Sequence, residues 1–588
     1  MSKIIQFAPL FLLTILLFAD PPNLEEQLDK LEAKPTASLA RNVATTAILE
    51  RQTDTALPRV ANTFVTLIGG TGKKRSLPQE KLKELTALAD ALLLMSHVSQ
   101  SKDCEALDDK PFCKWLFQNQ ARLDSFLDYF APQADDFTGA VTILRQLYRH
   151  DVENRNQTWP LMLSLALVWD KMPQQLHHQT GPNTLAFTED IENRYDYFKK
   201  VLTAPGAPFT LDKLSHLALC LIVETPVPVS ELLWAQKNVR ERNPDKLYKG
   251  IKYDNARLNA NQFDWPNGPY TLQAIKSKGG ICTDQAYFTV MVLRSRGIPS
   301  LMFSGKGLMG RHAWVAYLKN KRTWETDVGR YQNQDFTTGE TRNPQTGETF
   351  NDHLLPIICE SAAKQTDEGD KDAEALARLA VVLLGLKEKK LSMEAARLAI
   401  ASQKTNMLAW NILLNNQDKP DGKIEIYDEQ AKLFTKYPDA VLNIRMKQAK
   451  ILHDNGKNAD ADALLKKLLL SYKKREDLTR EIAMLQIELA MEDNNPAKAR
   501  QHFEQYLKNQ KKEGAKVLED LFLYLSFTKE TNQTGPAVDF TEDFVRTFKR
   551  SFKKYSKDNP LVNNWDKEAL RTAYENNKDY NKLKKLKK

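Results

Sequence analysis

Three residues between Gly279 and Tyr331 could together perform nucleophilic catalysis on a carbonyl group. Cys282 precedes a largely apolar stretch, His312 opens an alternating segment, and Asp327 lies in the next such segment. A thiol can attack a carbonyl carbon, an imidazole can accept the thiol proton, and a carboxylate can hold the imidazole in one tautomer. The order of these residues therefore predicts chemistry through an acyl-thioester.

A helix is predicted to begin at Cys282. The following sequence, TDQAYFTVMVLRSR, places Ala286 and Val290 on one face, and Gly297 and Pro299 end the helix. The dipole and free amides at a helix N-terminus favour a thiolate, and the Cys282 amide could also bind a tetrahedral oxyanion. We therefore expect a thiolate-favouring site. Considered alone, Cys282 is better interpreted as a small buried residue at a helix start, and it is the motifs that follow that favour a catalytic role.

His312 and Asp327 are predicted to lie on one face of a β-hairpin. The segment HAWVAYL alternates, and TWETDVG returns after a polar turn. A turn centred near Asn320 places His312 opposite Gly329, with Asp327 one diagonal step away, about 7–8 Å distant at the backbone. We expect Asp327 to accept a hydrogen bond from His312. A register shift of one residue would place the two side chains on opposite faces.

The order and spacing of these motifs resemble the transglutaminase-like superfamily, a circularly rearranged relative of the papain-type cysteine hydrolases. The resemblance implies Cys282 as nucleophile, His312 as general base and acid, and Asp327 as the residue that orients His312, with no metal or cofactor. The chain departs from many members after Asp327, where Val328-Gly329 replaces Asp-Pro or Asp-Thr. The four matching segments are Gly280-Ile-Cys282, Arg294-Ser-Arg-Gly297-Ile-Pro299, His312-Ala-Trp314 and Trp324-Glu-Thr-Asp327.

Other polar residues near these motifs are assigned supporting roles. Asp284 is expected to cap the first helical turn rather than react. Asn261 or Gln262 could supply a second oxyanion donor, and nothing in the sequence selects either. The histidines upstream lack metal-ligand spacing, so we interpret them as surface or core residues; they are His97, His150, His177, His178 and His216.

The N-terminus has the features of a secretory signal peptide. Lys3 precedes a largely apolar run from Ile4 to Phe18, and Ala19 offers a small residue at a cleavage point. We therefore expect the protein to be extracytoplasmic, either periplasmic or secreted. An uncleaved membrane anchor is the alternative, because the run falls only slightly short of a comfortable membrane span.

Export changes the interpretation of the five cysteines. Cys104 and Cys113 lie in a polar turn and could form a disulfide in an oxidising compartment. Cys220 and Cys359 lie in apolar patterns typical of buried thiols. The odd total leaves at least one unpaired thiol, for which Cys282 is the candidate.

The rest of the chain is predicted to be helical, so the fold class is multidomain and mainly α. After about residue 360, three segments share one spacing of a turn, a small residue and an apolar residue, which resembles tetratricopeptide-like repeats that stack into an α-solenoid. These segments are Leu391/Ala396/Ile400, Gly456/Ala461/Leu465 and Asn495/Ala499/Phe503. The predicted divisions are a signal peptide (1–19), a helical N-terminal domain (20–235), a central α+β transglutaminase-like, papain-like domain (236–360), helical repeats (361–530) and C-terminal helices with a basic tail (531–588).

Composition limits the classes of partner. The 588 residues are 42% hydrophobic and 27% charged, which is typical of globular protein. The net charge of +9 is small for this length, and basic residues concentrate only at Lys582–Lys588. Because no nucleic-acid-binding module accompanies them, we expect no nucleic-acid partner and interpret this end as a solvated helix. Membrane contact is expected only through an uncleaved signal segment.

The sequence therefore predicts an exported cysteine enzyme that acts on amide bonds of a protein or peptide substrate. Water as the acceptor would make it a peptidase or amidase, whereas an amine acceptor would make it a cross-linking acyltransferase. The alternative is a non-catalytic scaffold whose helical repeats bind protein partners.

Overall fold

The chain is mainly α-helical with one small antiparallel sheet, as the sequence predicted. It divides into two compact units, Met1–Met172 with Gln365–Asn416, and Pro173–Lys364 with Gln417–Lys588. The predicted signal peptide and Cys359 lie outside the described residues. The computed structural model describes residues 23–69, 76–101, 103–181, 190–307, 310–320, 323–330, 338–352, 354–358, 368–509, 514–553 and 564–586.

The N-terminal part of the first unit consists of helices, most of them amphipathic, and several are capped by Asn, Thr or Asp side chains. The span from Lys110 to Tyr129 forms two helices, because the Asn119 side chain accepts a hydrogen bond from the Arg122 amide (3.1 Å) and starts a new one. The helices are α1 (Leu24–Ala33), α2 (Ala37–Leu49), α3 (Thr53–Leu67), α4 (Leu82–Gln100), α5 (Lys110–Phe117), α6 (Gln120–Tyr129), α7 (Phe137–His150) and α8 (Trp159–Trp169).

Cys104 and Cys113 are free, buried thiols, so the disulfide that the sequence left open is not formed. The Cys113 thiol donates to the carbonyl of Leu107 at 3.4 Å. Burial raises the pKa of Cys113 to about 12. Because a thiolate is costly to form in such an apolar environment, these two residues pack as small core side chains. Cys220, predicted to be buried, is 1% exposed.

The second unit begins with the helices and strands that position the candidate site. Each strand pairs with its neighbours in the order β3-β2-β1-β4-β5, and every pairing is antiparallel. The elements are α9 (Ile191–Thr203), α10 (His216–Val223), α11 (Val229–Asn238), α12 (Pro244–Lys249), α13 (Asn255–Asn259), α14 (Leu272–Lys278), α15 (Cys282–Ser295), β1 (Ser300–Gly307), β2 (Gly310–Asn320), β3 (Thr323–Val328), β4 (Gly339–Arg342) and β5 (Thr349–Asn351).

Arg294 joins helix α15 both to the end of α10 and to the sheet. Arg294 lies 2.9 Å from the Glu224 carboxylate, and both side chains are almost fully buried. The same guanidinium donates to the Ser300 carbonyl at the start of β1 (2.9 Å). Gly297 has a φ of +71° and allows the chain to turn between the two elements. The predicted helix end is therefore confirmed, with Arg294 bound to protein groups rather than to solvent.

Trp314 fills the centre of one sheet face. It is fully buried and clusters with Phe303, Ala316 and other apolar residues. Two glycines make room for its ring, because an added Cβ would lie 2.7 Å from the ring at Gly305 and 2.4 Å from it at Gly339. The sheet can therefore accept an indole here only while both positions lack side chains.

The remaining helices form successive hairpins, and one turn geometry recurs between them. The turn residue has a positive φ, and the next amide donates to the carbonyl five positions earlier, as in a Schellman motif. These turn residues are Lys387, Gly456, Asn494, Asn532 and Lys578. Because only one of them is glycine, the sequence gives little indication that the turns are there. The repeat positions identified in the sequence are buried on the helices that follow the turns, including Ala396, Ala461 and Ala499.

These hairpin helices belong to both units. In the first unit they are α16 (Glu368–Gly385), α17 (Lys389–Ser402) and α18 (Met407–Asn416). In the second unit they are α19 (Pro420–Leu433), α20 (Pro438–Asp454), α21 (Asn458–Ser471), α22 (Glu476–Glu492), α23 (Pro496–Asn509), α24 (Gly514–Glu530), α25 (Thr534–Lys553), α26 (Trp565–Asn576) and α27 (Tyr580–Leu586). In the described part of the chain, no helix combines the length and apolar character needed to span a bilayer.

The Trp314 packing predicts different outcomes for the same substitution at two glycines. Gly339→Ala should destabilise the protein by about 1–3 kcal/mol, because the new methyl group overlaps the indole. Gly535→Ala, in α25, should be neutral or slightly stabilising, since no heavy atom lies within 4 Å of the added Cβ. Calorimetric unfolding of both variants would check this. Equal melting temperatures would contradict the packing account.

Candidate active site

Cys282 is the first residue of α15, as predicted, and Asp284 determines that helix start. The Asp284 carboxylate accepts a hydrogen bond from the Ile281 amide at 2.8 Å. Asp284 is fully buried, so it caps the helix rather than facing substrate. The supporting role predicted for this residue is confirmed.

The buried charge of Asp284 is balanced by two further partners. Arg257 donates to the carboxylate at 2.6 Å, and the hydroxyl of Tyr270 donates at 3.0 Å. The Tyr270 oxygen is in turn 3.0 Å from Nε2 of His177. Because Nδ1 of His177 accepts from the Gln179 amide (3.1 Å), Nε2 carries the proton and donates to Tyr270. Of the two interpretations given to the upstream histidines, surface or core, the second therefore applies to His177.

Two glycines allow the chain to reach Cys282 beside this network. Gly279 has a φ of +83°, and an added Cβ would lie 2.3 Å from the carbonyl oxygen of Lys252. At Gly280 an added Cβ would lie 2.5 Å from Asp284. Gly280 also donates to the Lys252 carbonyl at 2.9 Å. The absence of a side chain at both positions therefore permits the close approach of the backbone to Lys252 and Asp284.

The Cys282 thiol is 9% exposed, and its environment opposes ionisation. Burial raises the pKa of Cys282, and hydrogen bonds from the Ala313 amide and from Thr283 only partly offset that effect. The expectation of a thiolate-favouring site is therefore wrong in this structure. The helix N-terminus contributes favourable amides, but the lost hydration of a thiolate outweighs them.

His312 lies in β2 and is 4% exposed. Burial lowers the pKa of His312 to about 4, although its hydrogen bond to Gly329 acts in the opposite direction. Its Nε2 is 2.7 Å from the carbonyl oxygen of Gly329. Because a carbonyl can only accept, Nε2 carries the proton and the lone pair of the neutral ring is on Nδ1. His312 is therefore held as a neutral base.

The structure does not form the predicted hydrogen bond between His312 and Asp327. The Asp327 side chain is 60% exposed and pairs with Arg330 at 3.0 Å. The reason is a β-bulge: Val315 pairs with Val328 but Tyr317 pairs with Glu325, which leaves an extra residue in β3. The bulge turns Asp327 towards solvent, and the Gly329 carbonyl takes the position at the imidazole.

Tyr248 joins the cysteine and histidine elements, and sequence reasoning missed it. Its hydroxyl donates to the Ala313 carbonyl at 2.7 Å and lies 3.5 Å from the Cys282 carbonyl. Its ring centroid is 6.5 Å from that of His312. An added Cβ at Gly329, whose φ is +81°, would lie 2.5 Å from the Tyr248 ring. No sequence spacing links residue 248 to these positions, because the contact arises from packing alone.

Trp314 and Arg330 complete the surroundings of the imidazole. The Trp314 ring stacks 6.2 Å from His312, and the Arg330 guanidinium lies 4.8 Å from the indole centroid. Arg330 also pairs with the buried Asp352 at 3.1 Å. The two candidates for a second oxyanion donor, Asn261 and Gln262, are both exposed, whereas the thiol is buried.

No protein-family model matches the chain, and no curated protein sequence matches it significantly.

The pKa directions predict slow alkylation of Cys282 near neutral pH. Because burial raises its pKa, less thiolate is present at pH 7 than in an ordinary cysteine, whose pKa is about 8.5. Iodoacetamide should therefore label Cys282 more slowly than it labels the same residue in urea-unfolded protein, and labelling should accelerate above pH 8.5. Peptide-resolved mass spectrometry would measure both rates. Faster labelling of the folded protein at pH 7 would contradict the pKa assignment.

Proposed function

We propose that the central segment, residues 236–360, is a transglutaminase-like, papain-like domain whose Cys282 and His312 act on amide bonds of a protein or peptide substrate. One observation carries the proposal. The Tyr248 hydroxyl donates to the carbonyl of Ala313, the residue next to His312, and lies 3.5 Å from the Cys282 carbonyl, while the Gly329 carbonyl holds the His312 ring in the tautomer with its lone pair on Nδ1. One packing contact thus joins the segment that carries the candidate nucleophile to the segment that carries a base of suitable tautomer.

The proposed reaction proceeds through a thioester. As the Cys282 sulfur attacks the amide carbonyl carbon, Nδ1 of His312 removes the thiol proton. The carbonyl oxygen becomes an oxyanion, for which the Cys282 amide is the first candidate donor. Collapse breaks the carbon–nitrogen bond, and His312 returns the proton to the leaving amine. Water or a second amine then attacks the thioester carbon and gives its proton to His312. The carbon–sulfur bond breaks, which releases the acid or the new amide, and His312 returns the proton to the sulfur.

The resting state in this mechanism is a neutral thiol beside a neutral imidazole. Burial raises the pKa of Cys282 and lowers that of His312, so the proton stays on sulfur at neutral pH. Proton transfer therefore accompanies the attack, rather than preceding it as in a preformed thiolate–imidazolium pair.

The orienting role is assigned to the Gly329 carbonyl. The family resemblance would give this role to Asp327, which here is exposed and bound to Arg330. A backbone carbonyl can fix the tautomer of His312, but it stabilises an imidazolium less than a carboxylate does.

The remaining expectations extend this proposal to the whole chain. We propose that the helical hairpins form a tetratricopeptide-like solenoid that presents protein partners or substrate, and that the protein is exported to the periplasm or secreted. No nucleic-acid partner is proposed. The non-catalytic scaffold is the outcome that remains if the acylation experiment below fails.

Acylation of Cys282 tests the function directly. With an activated ester such as p-nitrophenyl acetate, we expect a burst of product and an acyl adduct on Cys282. Cys282→Ala should abolish both, and His312→Ala should slow the burst by about 10²–10⁴-fold. Cys113→Ala is the matched control, since it removes another free, buried thiol. A burst that persists in Cys282→Ala would contradict the assignment of the nucleophile.

The orienting role can be tested at two nearby positions. Gly329→Ala should reduce the acylation rate, because the added methyl group meets Tyr248 and displaces the carbonyl that holds His312. Asp327→Asn should react at nearly the wild-type rate, because that side chain is largely exposed. Burst rates, with circular dichroism as a check on folding, provide the measurement. A hundredfold lower burst rate in Asp327→Asn would show that the Asp327 carboxylate, rather than the Gly329 carbonyl, orients His312.

A further inference from the structure

A second group of side chains that could do chemistry lies at the ends of two hairpin helices, outside the Cys282 site. His453 and Asp454 end α20, and Glu492 ends α22. One ligand atom from each of the three lies within 4.8 Å of the others. Within the described residues, this is the single group of histidine, cysteine and carboxylate side chains that satisfies this criterion.

Both ring nitrogens of the histidine in this cluster, His453, face carboxylates. Nε2 of His453 is 2.9 Å from the Asp493 carboxylate, so Nε2 carries a proton and donates it. In the tautomer with its proton on Nε2, Nδ1 bears the lone pair. It lies 3.7 Å from Asp454 and 3.5 Å from Glu492, both of them acceptors when ionised.

Nδ1 of His453 has no hydrogen-bond partner and is hidden from solvent. The side chain as a whole is only 10% exposed. A buried acceptor that faces two other acceptors is unfavourable unless a cation lies between them. The two helix C-termini make the need for positive charge greater, because their dipoles are negative at the end where Asp454 and Glu492 lie.

The spacing fits a metal ion better than a shared proton. The Nδ1–oxygen separations of 3.5 and 3.7 Å exceed the usual N–H···O distance. They are close to the edge of a tetrahedron whose metal–ligand bonds are about 2.1 Å, which is roughly 3.4 Å. The Asp493–His453 bond is the arrangement by which an outer carboxylate orients a metal-ligating histidine.

We propose that His453, Asp454 and Glu492 bind one divalent transition-metal ion of the zinc class. An imidazole nitrogen favours such ions over calcium or magnesium, which prefer ligand sets made of oxygen. Asp454 and Glu492 are 51% and 41% exposed, so the fourth position is open to water. Lys450 binds the other oxygen of Glu492 at 3.3 Å and helps to orient it.

The ion would join two neighbouring hairpins. His453 and Asp454 belong to α20, whereas Glu492 belongs to α22, so coordination links helix ends that the turns alone do not connect. Because an unfolded chain has no preformed site, binding should raise the unfolding temperature. This role is independent of Cys282 and of the proposed acylation.

Zinc titration of the full-length, tag-free, EDTA-treated protein tests the proposal, with a chromogenic chelator as competitor. The wild type should bind one more zinc ion per chain than His453→Gln. His502→Gln, the same substitution on α23 outside the cluster, should bind as the wild type does. Asp493→Asn should bind at least tenfold more weakly, since it loses the orienting carboxylate. Zinc should raise the melting temperature of the wild type more than that of His453→Gln.

The doubly substituted Asp454→Asn/Glu492→Gln protein controls for the chance that His453→Gln loses zinc only because it misfolds. Both of its positions are solvent-accessible, so it should keep the fold. It should lose the same zinc equivalent as His453→Gln. The proposal would be overturned if His453→Gln and the double variant bound zinc with the same stoichiometry and affinity as the wild type. Calcium that displaces zinc at equal concentration would overturn the assigned metal class.

Discussion

The candidate active site depends on one buried carboxylate, Asp284. It receives hydrogen bonds from Ile281, Arg257 and Tyr270, and these partners satisfy a charge that would otherwise be untenable in the interior. Removing one partner of a buried ion pair typically costs about 3–5 kcal/mol, because the other charge is left uncompensated. The network fixes where α15 begins, and therefore where the sulfur of Cys282 lies.

Burial of the site has opposite consequences for its resting state and for its reaction. Low exposure keeps Cys282 as a thiol and His312 as a neutral ring, since either charge would lose hydration. The same environment strengthens the attraction between an oxyanion and an imidazolium once both form during attack. Tyr248 keeps the two elements in register through hydrogen bonds to the backbone, which do not depend on ionisation.

In the helical hairpins, local turns set where the helices end, and packing between hairpins then brings side chains at those ends together. Five of the turns use a residue of positive φ, and lysine or asparagine serves at four of them where glycine would be expected. The helix ends are set by these turns within each hairpin. Packing of α20 beside α22 then brings His453 to Glu492, and the proposed metal site follows from that contact.

The sequence by itself determined the local features: the start of α15 at Cys282, its end at Gly297, the capping role of Asp284 and the mainly helical composition. Each depends on neighbouring residues and on helix periodicity. Only the tertiary structure decided that Gly329 rather than Asp327 holds His312, that Tyr248 joins the site, and that burial raises the pKa of Cys282. A β-bulge, a long-range contact and desolvation depend on how distant segments pack, and no local pattern records that packing.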